Sequence, residues 1–388
     1  MSRLADLIAQ LCPDGVEYRA LGDVAELKRG QAVTRKEIVE GQVPVIAGGR
    51  EPAYYIDRPN RQGETIVIAG SGAYAGFVSF WNEPIFVSDA FSIVVDRGTL
   101  QPRFVYHWLR GRQETIHALK SGGGVPHVYP KDVAKLRCPI PPLEVQREIV
   151  RILDQFTTLE AELEAELEAR RPQYEHYRNH LLSYDSLAAR GPVNVIELRD
   201  VGVVRMCKRI HKAETSVQGD IPFFKISTFG GTPTSFISAE LYEKYKEKYP
   251  YPKQGDLLIS AAGTIGQIVR FDGADAYFQD SNIVWLEHDE SIVLNRYLYF
   301  VYLNTRWTTD GGTIKRLYNN RILQQQICVP PIETQIAIAD LLDRFDALVN
   351  DISLGLPAEI AARRAQYEHY RDRLLSFPEK AVSRSNAS

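Results

Sequence analysis

Cysteine is scarce: the 388 residues hold four, Cys12, Cys138, Cys207 and Cys328, and no two form a CxxC pair. That scatter argues against a zinc knuckle and a disulfide frame, and fits reduced, mostly buried thiols. Long apolar runs are missing too. No window reaches the roughly 18 uninterrupted apolar residues of a membrane-spanning helix, so none is expected. The opening stretch MSRLADLIAQLCPDG carries charges and lacks an apolar core, so it reads as no signal peptide. Excess charge of one sign is absent as well, since 46 Lys and Arg against 49 Asp and Glu give −3. By segment, residues 1–140 carry +2, 141–184 carry −4, 185–330 carry +1 and 331–388 carry −2. A polyanion would have to meet local patches, not a uniformly basic surface.

What is present is a duplication. RRPQYEHYRNHLLSY (Arg170–Tyr184) and RRAQYEHYRDRLLSF (Arg363–Phe377) agree at eleven of fifteen positions. Upstream, IPPLEVQREIVRILDQF (Ile140–Phe156) faces VPPIETQIAIADLLDRF (Val329–Phe345), and IAGSGAYAGFVSF (Ile68–Phe80) faces ISAAGTIGQIVRF (Ile259–Phe271). FVSDAFSIVV then faces YFQDSNIVWL, which sets Asp89 opposite Asp280, and KSGGGVPHVYP faces DGGTIKRLYNN, which sets Tyr129 opposite Tyr318. Glycines and apolar residues match across the long segments while polar loop residues differ. The same scaffold therefore carries two different surfaces.

Local patterns identify the pieces. TIVIAG, FVSF, IFVS and FSIVVD, with DLLIS, QIVRF and NIVWLEH in the second copy, are Val-, Ile- and Phe-rich runs bounded by turn residues, and they predict strands. Arg103–Lys120 and Asn295–Thr305 predict helices after those strands, giving two α/β units with mainly antiparallel sheets. After each Pro-Pro step the pattern changes. Ile149, Ile152, Phe156, Leu159, Leu163, Leu167, Tyr174, Tyr177, Leu181 and Tyr184 follow steps of three and four, a seam of the coiled-coil kind. A helix from Leu143 to Tyr184 would be roughly 60 Å long. The second copy keeps the spacing through Ile338, Leu341, Phe345, Leu348, Ile352 and Leu356, then has four extra residues before Arg363. Pro172 threatens the first helix, and Gly355 with Pro357 the second, so each is open to being continuous or broken. The expected architecture is α+β: two similar α/β domains (1–141 and 185–330), two helical segments (142–184 and 331–378) pairing antiparallel about a pseudo-two-fold, and a disordered tail (379–388).

Catalytic signatures do not appear. There is no GxxxxGK[ST] loop and no Asp/Asn-Pro-Pro-Phe/Tyr, because Ile140 and Val329 precede the Pro-Pro pairs. GSGAYAG leads into the strand-like FVSF, not a helix, which argues against dinucleotide binding. PDGVEYR sets its carboxylates too close for a nuclease site. His176 and His180 have the spacing of helix metal ligands, but the second copy offers His369 and Arg373, and no third ligand lies nearby. No Ser-His-Asp arrangement is recognisable. The remaining candidates are loops rich in Gly, Lys, Arg and polar groups, suited to phosphates and base edges. In the first copy they are Lys28, Arg29, Arg35, Lys36, Gly72, Tyr74, Gly123 and His127. In the second they are Lys208, Arg209, Lys212, Lys225, Thr264, Gly312, Lys315 and Arg316.

The two PPLEVQ/PPIETQ segments and the two QYEHYR endings, each after a dissimilar region, resemble the specificity subunit of type I DNA restriction-modification enzymes in its full-length, two-recognition-domain form. The resemblance implies a non-catalytic chain that binds bipartite, asymmetric double-stranded DNA, each domain reading one half-site while the helices fix the spacer. It implies two modification subunits that methylate adenine N6 with S-adenosylmethionine, and two restriction subunits that use ATP and Mg2+, all in the cytoplasm and without a membrane. The competing reading is a tandem-domain protein scaffold that binds no DNA.

Overall fold

The duplication in the sequence returns as a duplicated strand order. The computed structural model describes residues 3–34, 38–122, 124–309, 315–351 and 353–381. In the first copy a four-stranded antiparallel sheet runs in the order Ala25–Arg29, Ala90–Val95, Thr65–Ala69, Val78–Trp81. In the second, Gly202–Arg205, Ile283–His288, Leu257–Ser260 and Ile268–Arg270 take the same order. Each copy adds a three-stranded sheet: Tyr55–Ile56, Val43–Ile46, Phe86–Val87, and again Phe236–Ile237, Ile221–Phe224, Tyr277–Phe278. One pair in each of these is parallel, with Ile46 opposite Val87 and Phe224 opposite Phe278. Each copy also ties its entry to its exit by an antiparallel pair, Glu17–Ala20 with Arg137–Ile140 and Asn194–Glu197 with Gln326–Val329.

The helix expected over Arg103–Lys120 is two helices, Pro102–Arg110 and Gln113–Ala118. Gly111 caps the first, its N–H donating to the His107 carbonyl at 3.1 Å, and glycine propagates a helix less well than any residue but proline. Helix α1, Leu143–Leu181, is uninterrupted and includes Pro172. Proline removes one N–H there, but Pro172 and Glu168 are both exposed, which leaves the freed Glu168 carbonyl open to solvent. The helix stops short of Tyr184, where Ser183 caps a separate short helix, Tyr184–Ala188.

The second copy is broken instead, into α2 (Ile332–Asn350) and α3 (Leu356–Leu374). Asp351 organises the turn: its carboxylate accepts from the N–H groups of Ser353 and Leu354 at 2.6 and 3.1 Å. Gly355 is required because a Cβ there would lie 2.3 Å from the Ala347 carbonyl oxygen. The seam predicted on α2 is shifted as well. Ile338, Leu342 and Val349 are buried while Leu341 and Leu348 are exposed, because α2 packs against Asn295–Asn304. Ile352 lies outside the described residues.

Contacts divide the chain into two compact units, residues 1–165 with 359–388, and residues 166–358. Within unit 1, Phe156 of α1 stacks on Tyr370 of α3, and Arg364 of α3 reaches Glu160 and Glu164 of α1. Rising numbers meet falling ones, so the pair is antiparallel. Within unit 2, Tyr174 donates to Asp346 at 2.8 Å and Tyr177 stacks on Phe345, again antiparallel. Unit 1 has a core built on Phe104, Trp108, Ile149 and Leu153 that also takes in Tyr367, Leu375 and Phe377. Unit 2 gathers Phe223, Tyr242, Leu258, Tyr277 and Trp285.

Glu379 and Lys380, expected in the disordered tail, are held in place. Val16 N–H donates to the Pro378 carbonyl and Lys380 N–H to the Val16 carbonyl, both at 2.9 Å, while Glu379 pairs with Arg137. Residues 382–388 lie outside the described set.

Candidate nucleic-acid interface

In unit 1 four stretches converge at one end of the four-stranded sheet: the end of Ala25–Arg29, the turn after Thr65–Ala69, the Ser88-Asp89 link and the loop to Tyr129. Backbone bonds bring them together. Gly30 N–H donates to the Ala90 carbonyl at 2.8 Å, Val128 N–H to the Gly70 carbonyl at 3.0 Å and Gly72 N–H to the Pro126 carbonyl at 3.0 Å. Gly30 admits no side chain, since a Cβ would come 1.9 Å from the Ser88 carbonyl oxygen. The Ser71 hydroxyl donates to the Asp89 carboxylate. A cavity of about 370 Å³ results, lined by Arg29, Gly30, Asp89, His127 and Tyr129 among others. His127 stacks on Tyr129, with its Nδ1 2.8 Å from the Val125 carbonyl.

Unit 2 builds its counterpart from equivalent segments, with Leu317 N–H donating to the Ala261 carbonyl at 2.9 Å. Its cavity of about 360 Å³ is lined by Arg209, Lys212, Lys225, Asp280, Asn282 and Arg316, among others. Arg209 Nε donates to Asp280 at 2.8 Å. Arg316 Nη2 donates to the Ser281 carbonyl and the Asn282 Oδ1, both at 3.0 Å. Ser281 has φ +53°, the sole non-glycine with positive φ among the described residues. Such a conformation persists only where neighbours hold it, as Arg316 does here.

The structure therefore brings together Arg29 and His127 in one unit, and Arg209, Lys212, Lys225 and Arg316 in the other. Gly72 shapes the turn beside the first cavity with φ +83°. Tyr74 is exposed and carries the Arg50 guanidinium 4.9 Å above its ring. Lys28 points to Glu26 at 3.0 Å, and Lys208 sits 5.1 Å over the Tyr249 ring, so neither lines its cavity. Thr264 and Lys315 are exposed and also lie off the lining. Arg35, Lys36, Gly123 and Gly312 lie outside the described residues.

Sequence reasoning missed Arg61, which donates to the Arg29 carbonyl at 3.0 Å and to Ser92 at 2.7 Å, holding the strand end that carries Arg29. Burial lowers its guanidinium pKa, partly offset by Glu26. It also missed Gln279 and Asn282; Asp89 and Asp280, by contrast, had signalled themselves by matching across the repeat. Burial pushes the Cys207 thiol, under this surface, up to about 12, so it stays neutral. His176 and His180 stack on each other, and no cluster of three metal-binding side chains occurs among the described residues. No helix among them is long and apolar enough to cross a membrane.

Comparison with known proteins bears on the family through sequence and on the fold through structure. A family model described as type I restriction modification DNA specificity domain matches twice, over residues 13–169 and 191–362. A putative type I restriction enzyme specificity subunit from Haemophilus influenzae is 42% identical, over 93% of this chain and 96% of its own. The EcoR124I/EcoR124II specificity subunit from Escherichia coli is 31% identical over 71% of each chain. In fold, the crystal structure of the S subunit from M. genitalium covers 93% of this chain and 96% of its own, with a TM-score of 0.61 at 18% identity. A chain from a structural study of type I restriction-modification complex assembly gives 0.57 at 20% identity, over 94% of this chain and 98% of its own.

Proposed function

The chain belongs to the type I restriction-modification DNA specificity family, and from that premise we propose that its two cavities are the places where two dissimilar half-sites of one duplex target are read. The observation that carries this is the pairing itself: one scaffold, built twice, places a cavity at the same point with different side chains around it. In this reading Arg29 and His127 face one half-site, while Arg209, Lys212, Lys225 and Arg316 face the other. Lys28, Lys208 and Lys315, exposed beside the cavities, neutralise phosphates and set register. The helices set the distance between half-sites. Neither half needs to bind tightly alone, because the link raises the effective concentration of the second.

The partners in this reading are double-stranded DNA, two modification subunits and two restriction subunits. S-adenosylmethionine, ATP and Mg2+ belong to those subunits, and the assembly works in the cytoplasm where its DNA lies. The test is to map N6-methyladenine in a genome carrying the system, then repeat the mapping with residues 1–140 exchanged for those of a relative. The expected result is a bipartite target in which the exchange alters one half alone. A change in both halves, or none in either, rules the reading out.

A further inference from the structure

The hydrogen-bonding sense of the unit 2 cavity is fixed by its own neighbours. Gln279 Oε1 accepts the Ile226 N–H at 2.9 Å. A backbone N–H only donates, so the Gln279 amide must turn its NH2 into the cavity. Asn282 Oδ1 accepts from Arg316, which also only donates, so Asn282 likewise presents its NH2. Lys225 Nζ spends one N–H on Ser235 Oγ at 2.7 Å and keeps two. Arg316 commits Nη2 to the loop and keeps Nη1 and Nε. The one carboxylate in the lining, Asp280, gives its Oδ2 to Arg209, whose positive charge offsets its own.

From this we infer that unit 2 reads guanine: its cavity is a set of oriented donors, complementary to a base edge that carries only acceptors. In the major groove guanine offers N7 and O6, both acceptors. Adenine places its N6 donor beside N7, and cytosine offers the N4 donor, so each would set a donor against Gln279, Asn282 or Lys225. Thymine has one acceptor and a methyl group, which this polar lining does not match. Lys225, with two free N–H bonds on a half-buried nitrogen, suits the O6/N7 pair, and the two amides extend the donor row. Unit 1 lacks this arrangement, since Ser88 and Phe91 stand where unit 2 has Gln279 and Asn282, and His127 where it has Arg316. The inference rests on the reading of these cavities as half-site readers.

The test uses the complete chain assembled with its modification subunits and a library in which both half-sites are randomised. For the wild type, a bipartite target with guanine in one half-site is expected. Gln279→Glu and Asn282→Asp each keep the inward acceptor and replace the outward NH2 with oxygen. Each is expected to lower the preference for guanine at one position by about tenfold to a hundredfold, to admit cytosine or adenine there, and to leave the other half-site unchanged. Equal weakening on every sequence would make the cavity a phosphate contact and overturn the inference alone, as would an unchanged target. A wild-type target without guanine in either half-site overturns it too, and no folding defect in a variant touches that readout. A wild-type complex with no sequence preference at all would take down the half-site reading and this inference together.

Discussion

Gln146 and Gln335 make the same joint 189 residues apart. Gln146 Nε2 donates to the Pro141 and Thr99 carbonyls at 2.8 and 2.9 Å, and its Oε1 accepts from Gln101 N–H at 2.8 Å. Gln335 does likewise with Pro330, Ile292 and Leu294, each at 2.9 Å. Both side chains are fully buried. This is why glutamine recurs after each Pro-Pro step: one amide ties the start of the helix to the segment before Pro102–Arg110 in one copy and before Asn295–Asn304 in the other.

Replacing either glutamine by leucine strands two carbonyls and an N–H out of water. Each variant is expected to lose about 2–4 kcal/mol in the unit that holds it. Urea denaturation followed separately in each unit, by hydrogen exchange, checks this. A loss below a few tenths of a kcal/mol would remove the amide from its assigned role.

His107 makes unit 1 sensitive to acid. The ring is fully buried, with Nδ1 2.8 Å from the Tyr367 hydroxyl and Nε2 2.8 Å from Asp154. Burial lowers the imidazole pKa against the raising pull of Asp154, with Arg103 and Arg371 adding to the lowering. Burial would raise Asp154, but the hydrogen bonds from His107 and Arg103 outweigh it and bring that carboxyl down. With the folded imidazole below its ordinary 6.5, the unfolded chain takes protons first. Stability is therefore complete above that value and declines as pH falls beneath it. Asp154 adds a second loss once pH drops below 3.8. The repeat has Phe300 where unit 1 has His107, so His107→Phe is expected to flatten the first decline. An equal slope in the variant and the wild type, in melts from neutral to mildly acidic buffer, would contradict this.

Arg364 is exposed, and its bonds to Glu160 and Glu164 are worth correspondingly little. Arg364→Ala should cost unit 1 no more than about 1 kcal/mol at low salt. The cost should shrink as salt rises, since screening acts on exposed pairs. Chemical melts at two ionic strengths decide it.

Gly355→Ala forces a Cβ against the Ala347, Leu348 and Asp351 carbonyls, all within 2.8 Å. The turn between α2 and α3 must shift, at about 1–3 kcal/mol. Gly124→Ala, where nothing lies within 4 Å, is the matched control and should leave the melting midpoint in place.

Much of the scaffold was legible because duplication doubled each signal. Strands such as Thr65–Ala69 and Leu257–Ser260 are fully buried apolar runs, visible without any partner. The fate of the helices was not. Pro172 is harmless because it faces water, while Gly355 marks a break because carbonyls crowd it, and neither environment is written in the local sequence. Within the site, Arg29 and Arg316 announced themselves as charges in glycine-bearing loops. Gln279 and Asn282 did not, because their meaning lies in which end of the amide is occupied. That depends on Ile226 and Arg316, which only folding brings close.

Unit 2 is one continuous stretch, 166–358, whereas unit 1 needs both ends of the chain, 1–165 and 359–388. On the ribosome every residue of unit 2 has been made before α3 is complete, which reverses the usual N-terminal-first order of domain completion. The half begun first is finished last, and a premature stop after Asn350 would injure it as surely as a lesion within residues 1–165.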